Sequence, residues 1–317
     1  MIQLNGSELV EVKLKKKIII IVLICAGILT SCNKQSTGDS KPSETESQDK
    51  MTEDRSQIED EQGTGELEQN SIDIRSIDDS EYFGDRSGCA VIYSSEEDCY
   101  YVLNEPKIDT EVSPYSTFKI VGTLMGLNNH VLEDENSLMD YNGTDYPVEA
   151  WNKNLTLKEA FQTSCVWYFR QVIDHVGYDK IERELQQLNY GNCDITEWKG
   201  SDLNPSEDLN GFWLGSSLKI SPLEQVNVMK EIFQGQTIYS DEQITILKNV
   251  MLYDEANQFS IYGKTGTNQN KEGWYVGMAK KDNTDFYFAV YLYDGDSEKP
   301  VSGQLARNIV LNIFESM

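Results

Sequence analysis

Ser116-Thr117-Phe118-Lys119 sets a hydroxyl one helical turn ahead of an amine, directly after Pro114 and Tyr115. If a helix starts here, Ser116 lies in its first turn and Lys119 on the same face, an arrangement that gives a nucleophile a nearby base. Alone the spacing is a weak signal, because average composition yields about one Ser-x-x-Lys by chance in a chain this long. A second copy, Ser47-Gln48-Asp49-Lys50, shows as much. Lys264-Thr265-Gly266 is rarer, at roughly 0.1 expected per chain. It follows an apolar stretch ending in Tyr262 and precedes Thr267. That context predicts an edge strand whose backbone N–H groups and cationic side chain face a cleft. The chain holds 2 histidines, His130 and His175, which leaves little room for a His-based triad or a His-rich metal site. No metal-ligand spacing, phosphate loop or dinucleotide fingerprint is present, and hydrolytic chemistry here would use a base other than histidine.

The elements that must carry these residues can be read around them. Cys89 to Tyr93 and Cys99 to Leu103 flank a polar turn and predict a hairpin; Gly273 to Ala279 and Phe286 to Tyr293 predict two later strands. Thr156-x-x-Glu159 is a capping box opening a run in which Leu157, Phe161, Ser164 and Tyr168 recur at helical spacing. On that spacing Ser164 lies on the apolar face of a helix. Ser221-Pro222-Leu223-Glu224 opens another helix with Pro at its first position, and Leu305, Ile309 and Ile313 mark a C-terminal one. Strands at both ends of the domain with helices between them predict an α+β fold, its sheet built from distant parts of the chain around a helical insertion.

Composition divides the chain of 317 residues into three parts. Lys13 to Lys17 precede the apolar run Ile18 to Leu29, too short to span a membrane comfortably, and residues 1–32 read as an export signal. Residues 33–81 carry 15 acidic and 5 basic side chains and almost no aromatic ones, the composition of a disordered acidic tether. Residues 82–317 have the length and aromatic content of one domain. The net charge of −26 repels phosphate backbones and argues against nucleic-acid binding. Cys89, Cys99, Cys165 and Cys193 allow three complete pairings in an exported protein; Cys89 with Cys99 across the hairpin is a plausible bridge, Cys165 with Cys193 beside the Ser-x-Val and Tyr-Gly-Asn positions is a conceivable second, and buried free thiols are the alternative.

Ser-x-x-Lys and Lys-Thr-Gly in this order, 145 residues apart, point to the serine enzymes that acylate on β-lactams and D-alanyl peptides. The chain resembles their class D, oxacillinase-type β-lactamases. It has Ser164-Cys165-Val166 for the family's Ser-x-Val, Tyr190-Gly191-Asn192 for Tyr-Gly-Asn, then Phe212-Trp213-Leu214, and Trp274-Tyr275-Val276-Gly277 for Trp-x-x-Gly. The absence of Ser-Asp-Asn argues against class A enzymes. The resemblance implies an antiparallel sheet flanked by helices, with the helical insertion forming the other side of the cleft.

It also implies roles. Ser116 would be the nucleophile and Lys119, carboxylated by CO2, the general base. Phe118, Val166 and Leu214 would desolvate the lysine so that its neutral form can react, and the Trp213 indole would hold the carbamate. Ser164 would relay a proton to the leaving nitrogen beside Lys264, and Thr265, Gly266, Thr267 and Arg307 would bind substrate, with the Ser116 and Thr267 N–H groups as the oxyanion hole. No cofactor beyond CO2 or bicarbonate and no metal is implied. Leu29-Thr30-Ser31-Cys32 resembles a lipobox, so Cys32 would be lipidated and would hold the domain on the outer face of a membrane. Related β-lactam sensors share the serine, Tyr-Gly-Asn and Lys-Thr-Gly motifs but carry Asn where Val166 stands and follow several membrane spans. A D-alanyl peptidase is the third alternative. The stretch between Asn192 and Phe212 is long for the family, and an insertion there could overhang the cleft and alter substrate range.

Overall fold

The computed structural model describes residues 73–78, 82–201, 204–254 and 259–316. The segment expected to be an export signal, Cys32 and most of the expected acidic tether lie outside them. Seven strands form one sheet: β1 (Asp73–Ser76), β2 (Ser87–Ser94), β3 (Cys99–Leu103), β6 (Leu252–Asp254), β7 (Ser260–Asn268), β8 (Glu272–Lys281) and β9 (Thr284–Tyr293), in the order β1-β3-β2-β9-β8-β7-β6. Two short strands, β4 (Leu138–Met139) and β5 (Leu155–Thr156), pair separately. The predicted hairpin is β2 paired with β3, with Ser94 opposite Cys99. Gly273–Ala279 and Phe286–Tyr293 lie inside β8 and β9, which are paired antiparallel.

β1 begins ahead of the expected boundary at Tyr82 and runs parallel to β3. It has no apolar alternation to betray it in the sequence, because it is an edge strand with exposed side chains. Backbone pairing holds it, together with Arg75, which bonds Asp73 and Glu97 and lies 5.5 Å from the Tyr101 ring centre.

The helices are α1 (Lys119–Asn128), α2 (Leu157–Gln162), α3 (Val166–Val176), α4 (Tyr178–Gln187), α5 (Pro222–Phe233), α6 (Asp241–Met251) and α7 (Gly303–Ser316). The Thr156/Glu159 and Ser221/Glu224 boxes are both formed, and Ser240 with Gln243 makes a third. α1 is buried from Lys119 through Leu127, so it is a core helix rather than an amphipathic one. α7 lays Ala306, Ile309, Val310 and Ile313 on the sheet against Tyr275, Phe288 and Val290.

The run from Leu157 to Tyr168 is not one helix. Cys165 N donates to Ala160 O at 2.8 Å and Ser164 N to Phe161 O at 3.2 Å, the paired bonds of a Schellman stop, with Ser164 left-handed at φ +59°. Helical spacing survives on both sides of the break and concealed it. Ser164 therefore stands in a turn between α2 and α3 rather than on a helix face. The bridge from Cys89 to Cys99 is absent too. All four described cysteines are free, and the register sets Tyr291 opposite Cys89 while Cys99 faces Ser94. Five strand residues, about 17 Å at ~3.4 Å each, separate the two levels, beyond disulfide reach.

Candidate active site

A 3-10 turn, Tyr115–Phe118, leads straight into α1, so Ser116 and Lys119 share a face as the spacing predicts. Lys119 Nζ and Ser116 Oγ are 2.8 Å apart in a hydrogen bond. Lys119 is fully buried, and desolvation lowers its pKa from 10.5 to about 7. Near neutrality much of it is a free amine, which can accept the Ser116 proton. Phe118 stacks on Trp213 at 5.1 Å and meets Phe212 edge-on at 5.2 Å, while the Phe169 ring lies 5.5 Å from Lys119 Nζ. Val166 opens α3 and Leu214 follows Trp213; both are half-buried. Among the described residues Trp213 Nε1 is a buried donor with no hydrogen-bond partner.

A buried lysine of this kind costs stability. Unfolded, it keeps its proton up to pH 10.5; folded, it gives it up near 7. The unfolded state thus binds more protons between these values, so this contribution rises with pH across the window and the deficit is complete below 7. Lys119→Met is expected to raise stability at pH 7 in bicarbonate-free buffer by on the order of 4 kcal/mol. Urea midpoints check this, and the gap between mutant and parent should close as the pH nears 10.5.

β7 carries Lys264-Thr265-Gly266. β6 covers it only at Ile261 and Tyr262, so from Gly263 onward its outer edge is open among the described residues. A Cβ at Gly266 would sit 3.2 Å from the Pro114 carbonyl oxygen, so the strand lies directly against the nucleophile turn. Burial and the neighbouring Lys119 and Arg307 charges push the Lys264 pKa well below normal. Its Nζ donates to the Thr265 carbonyl at 2.9 Å. With Thr265 and Arg307 it lines a cavity of about 290 Å³ that also includes Phe161, Met251 and Tyr253. Arg307 comes from α7 and stacks 3.9 Å over Tyr253. A carboxylate entering there would meet one guanidinium and one amine, and would raise the Lys264 pKa again. Thr267 Oγ1 accepts from Gly303 N at 2.9 Å, tying the end of β7 to the start of α7.

Ser164 is half-buried, and among the described residues its hydroxyl has no hydrogen-bond partner. The structure therefore joins Ser116 to Lys119 directly and gathers Lys264, Thr265 and Arg307 around one cavity, while Ser164 bonds to neither lysine. Tyr190-Gly191-Asn192 is structural. A Cβ at Gly191, φ +57°, would come within 1.9 Å of the Lys219 carbonyl, and Asn192 Oδ1 accepts from Lys219 N at 3.0 Å. The long stretch after Asn192 docks on α3: Trp198 stacks on Phe212 at 5.3 Å, and Arg170 donates to its carbonyl at 2.8 Å.

Trp274 does more than pack. Its Nε1 donates to Ser113 O at 3.1 Å, and Ser113 Oγ both donates to Trp213 O at 3.2 Å and accepts from Gly215 N at 2.8 Å. One serine thereby ties the nucleophile segment to the tryptophan loop and to β8. No spacing rule in the sequence singles out Ser113.

A buried lysine amine bonded to a serine hydroxyl thus lies against a strand whose open edge carries Lys-Thr-Gly. Residues 79–314 match the family described as penicillin binding protein transpeptidase domain, and the chain belongs to it, with class D β-lactamases among its homologues. The regulatory protein BlaR1 of Staphylococcus aureus is 36% identical over 249 residues, 77% of this chain and 40% of that protein. The probable β-lactamase YbxI of Bacillus subtilis (strain 168) is 30% identical over 242 residues, 76% of this chain and 84% of that protein. The crystal structure of a class D β-lactamase from Bacillus subtilis superposes with a TM-score of 0.67 at 30% identity, covering 75% of this chain and 94% of that one. The α+β fold, a sheet flanked by helices, is thus that of the class D enzymes.

Proposed function

We propose that the protein is a β-lactamase that opens the β-lactam amide through an acyl-enzyme on Ser116, with N-carboxylated Lys119 as general base, and so confers β-lactam resistance. The observation that carries this reading is the orphaned Trp213 indole N–H, stacked on the residue next to a near-neutral, desolvated Lys119. A buried donor-only group calls for an anion, and a carbamate on Lys119 is one. When present it supplies a base for both half-reactions. Ser116 Oγ gives up its proton and bonds the lactam carbonyl carbon; the oxyanion is held by the Ser116 and Thr267 N–H groups. The C–N bond then breaks, and the ring nitrogen takes a proton through Ser164. Water, deprotonated by the same base, cleaves the ester and restores Ser116.

A stably acylated β-lactam sensor is the second reading, favoured by the 36% identity to BlaR1. Val166, where the sensors carry Asn, favours the hydrolase. A time course of residues 73–317 with a chromogenic β-lactam, with and without bicarbonate, followed by intact mass spectrometry, separates them. Many turnovers supported by bicarbonate are expected; a single burst leaving a lasting Ser116 adduct means the sensor. The Leu29 to Cys32 pattern supports export and lipid anchoring through Cys32, which the acyl mass on full-length protein isolated from membranes would test.

The pH dependence follows from Lys119. Its ammonium form cannot take up CO2, so turnover is expected to fall as the pH drops through about 7, and added bicarbonate to move that midpoint lower. A profile flat down to pH 5 in bicarbonate-free buffer would contradict the assignment.

A further inference from the structure

Next to the site lies a closed cluster of polar side chains that the mechanism above does not use. Glu272, at the start of β8, accepts from the Tyr115 hydroxyl at 2.6 Å through Oε2 and from the Tyr291 hydroxyl at 2.6 Å through Oε1. Asn268 Nδ2 donates to Glu272 Oε2 at 2.7 Å and to the Tyr115 oxygen at 2.8 Å. Desolvation and this carboxylate push both tyrosine pKa values upward, so the hydroxyls remain donors at all ordinary pH. Tyr115 is buried, and it holds φ at +48°, a left-handed backbone that a side chain adopts only under compulsion.

Two of the three residues gripped by Glu272 flank the two expected oxyanion donors. Tyr115 shares its peptide bond with the Ser116 N–H, and Asn268 directly follows Thr267. We infer that Glu272 is a positioning residue for the oxyanion hole: its carboxylate clamps the side chains of Tyr115 and Asn268 and thereby fixes the separation and aim of the Ser116 and Thr267 N–H groups. The inference rests on the proposed acylation of Ser116 but not on its hydrolysis, since a sensor needs the same hole. A lone carboxylate is the fitting hub because it offers acceptors only, to three donors at once. Misplacing a reacting geometry by a fraction of an ångström is costly, and a preorganised donor pair works only at its set spacing.

The test measures single-turnover acylation of Ser116 by a chromogenic penicillin in the parent, Glu272→Gln, Tyr115→Phe and the double mutant, alongside the affinity for a boronic acid, whose boron adds Ser116 Oγ and sets an oxygen in the oxyanion hole. Tyr115→Phe keeps the buried ring and removes only the hydroxyl, so it remains informative if Glu272→Gln folds poorly. Each variant is expected to acylate roughly 10- to 100-fold more slowly. Boronate affinity should fall in step and the penicillin concentration giving half-maximal acylation should change little, while the 13C carbamate signal on Lys119 stays as in the parent. The double mutant should be no worse than the poorer single mutant. Parental acylation rates in the singles, or slower acylation with unchanged boronate affinity, overturn the positioning role alone. A parent that never forms a Ser116 adduct overturns this inference and the proposed function together.

Discussion

Lys119→Ala is expected to take up a β-lactam slowly on Ser116 and then hold it. General bases contribute about 10²- to 10⁴-fold to each step they serve, and Lys119 is proposed to serve both acylation and deacylation. Steady-state turnover should therefore drop by roughly 10³-fold, and mass spectrometry should find an acyl adduct that persists in the mutant and is expected to be cleared by the parent. The lysine meets Ser116 at 2.8 Å, and among the described residues no other side chain bonds the Ser116 hydroxyl. A mutant with undiminished turnover would remove Lys119 from the mechanism.

Trp213→Phe isolates the second feature. The ring stack on Phe118 and the edge contact with Phe212 at 5.0 Å can persist, and only the indole N–H is lost. A hydrogen bond to a charged group contributes about 1.5 to 3 kcal/mol, so carbamate occupancy on Lys119 should fall roughly 10- to 100-fold. The loss shows as a weakened 13C resonance from labelled bicarbonate and as turnover that climbs again with excess bicarbonate. A resonance as strong as the parent's would sink the assignment, because the orphaned donor would then have another purpose.

The candidate site residues were legible because each motif is local. Ser116 and Lys119 are one turn apart, and Lys264 to Thr267 occupy one strand. The capping boxes were legible for the same reason. What depends on long-range pairing was not. β1 has no pattern of its own and exists only because β3 offers an edge. The Schellman stop at Ser164 is a backbone event without glycine, so helical spacing ran straight through it. Glu272 reads as a surface acid beside Gly273, and only the fold brings it to Tyr115, 157 residues away. Arg307 looks like one of many helix-surface cations until α7 sets it beside β7. The cysteine pairing failed on register: hairpin membership alone says nothing about which residues face each other.

The sheet order has a consequence for how the chain comes into being. β2 has β3 on one side and β9, almost two hundred residues later, on the other, with Ser87 opposite Tyr293. During synthesis the β2–β3 hairpin emerges early but has one flank bare until the last quarter of the domain has been made. Pairings this distant in sequence close slowly, since loop entropy is lost before the contacts are gained. Cooperative folding should thus wait for β9 and α7, and a ribosome-bound chain stalled at residue 283 should stay open to protease where one stalled well past residue 317 resists.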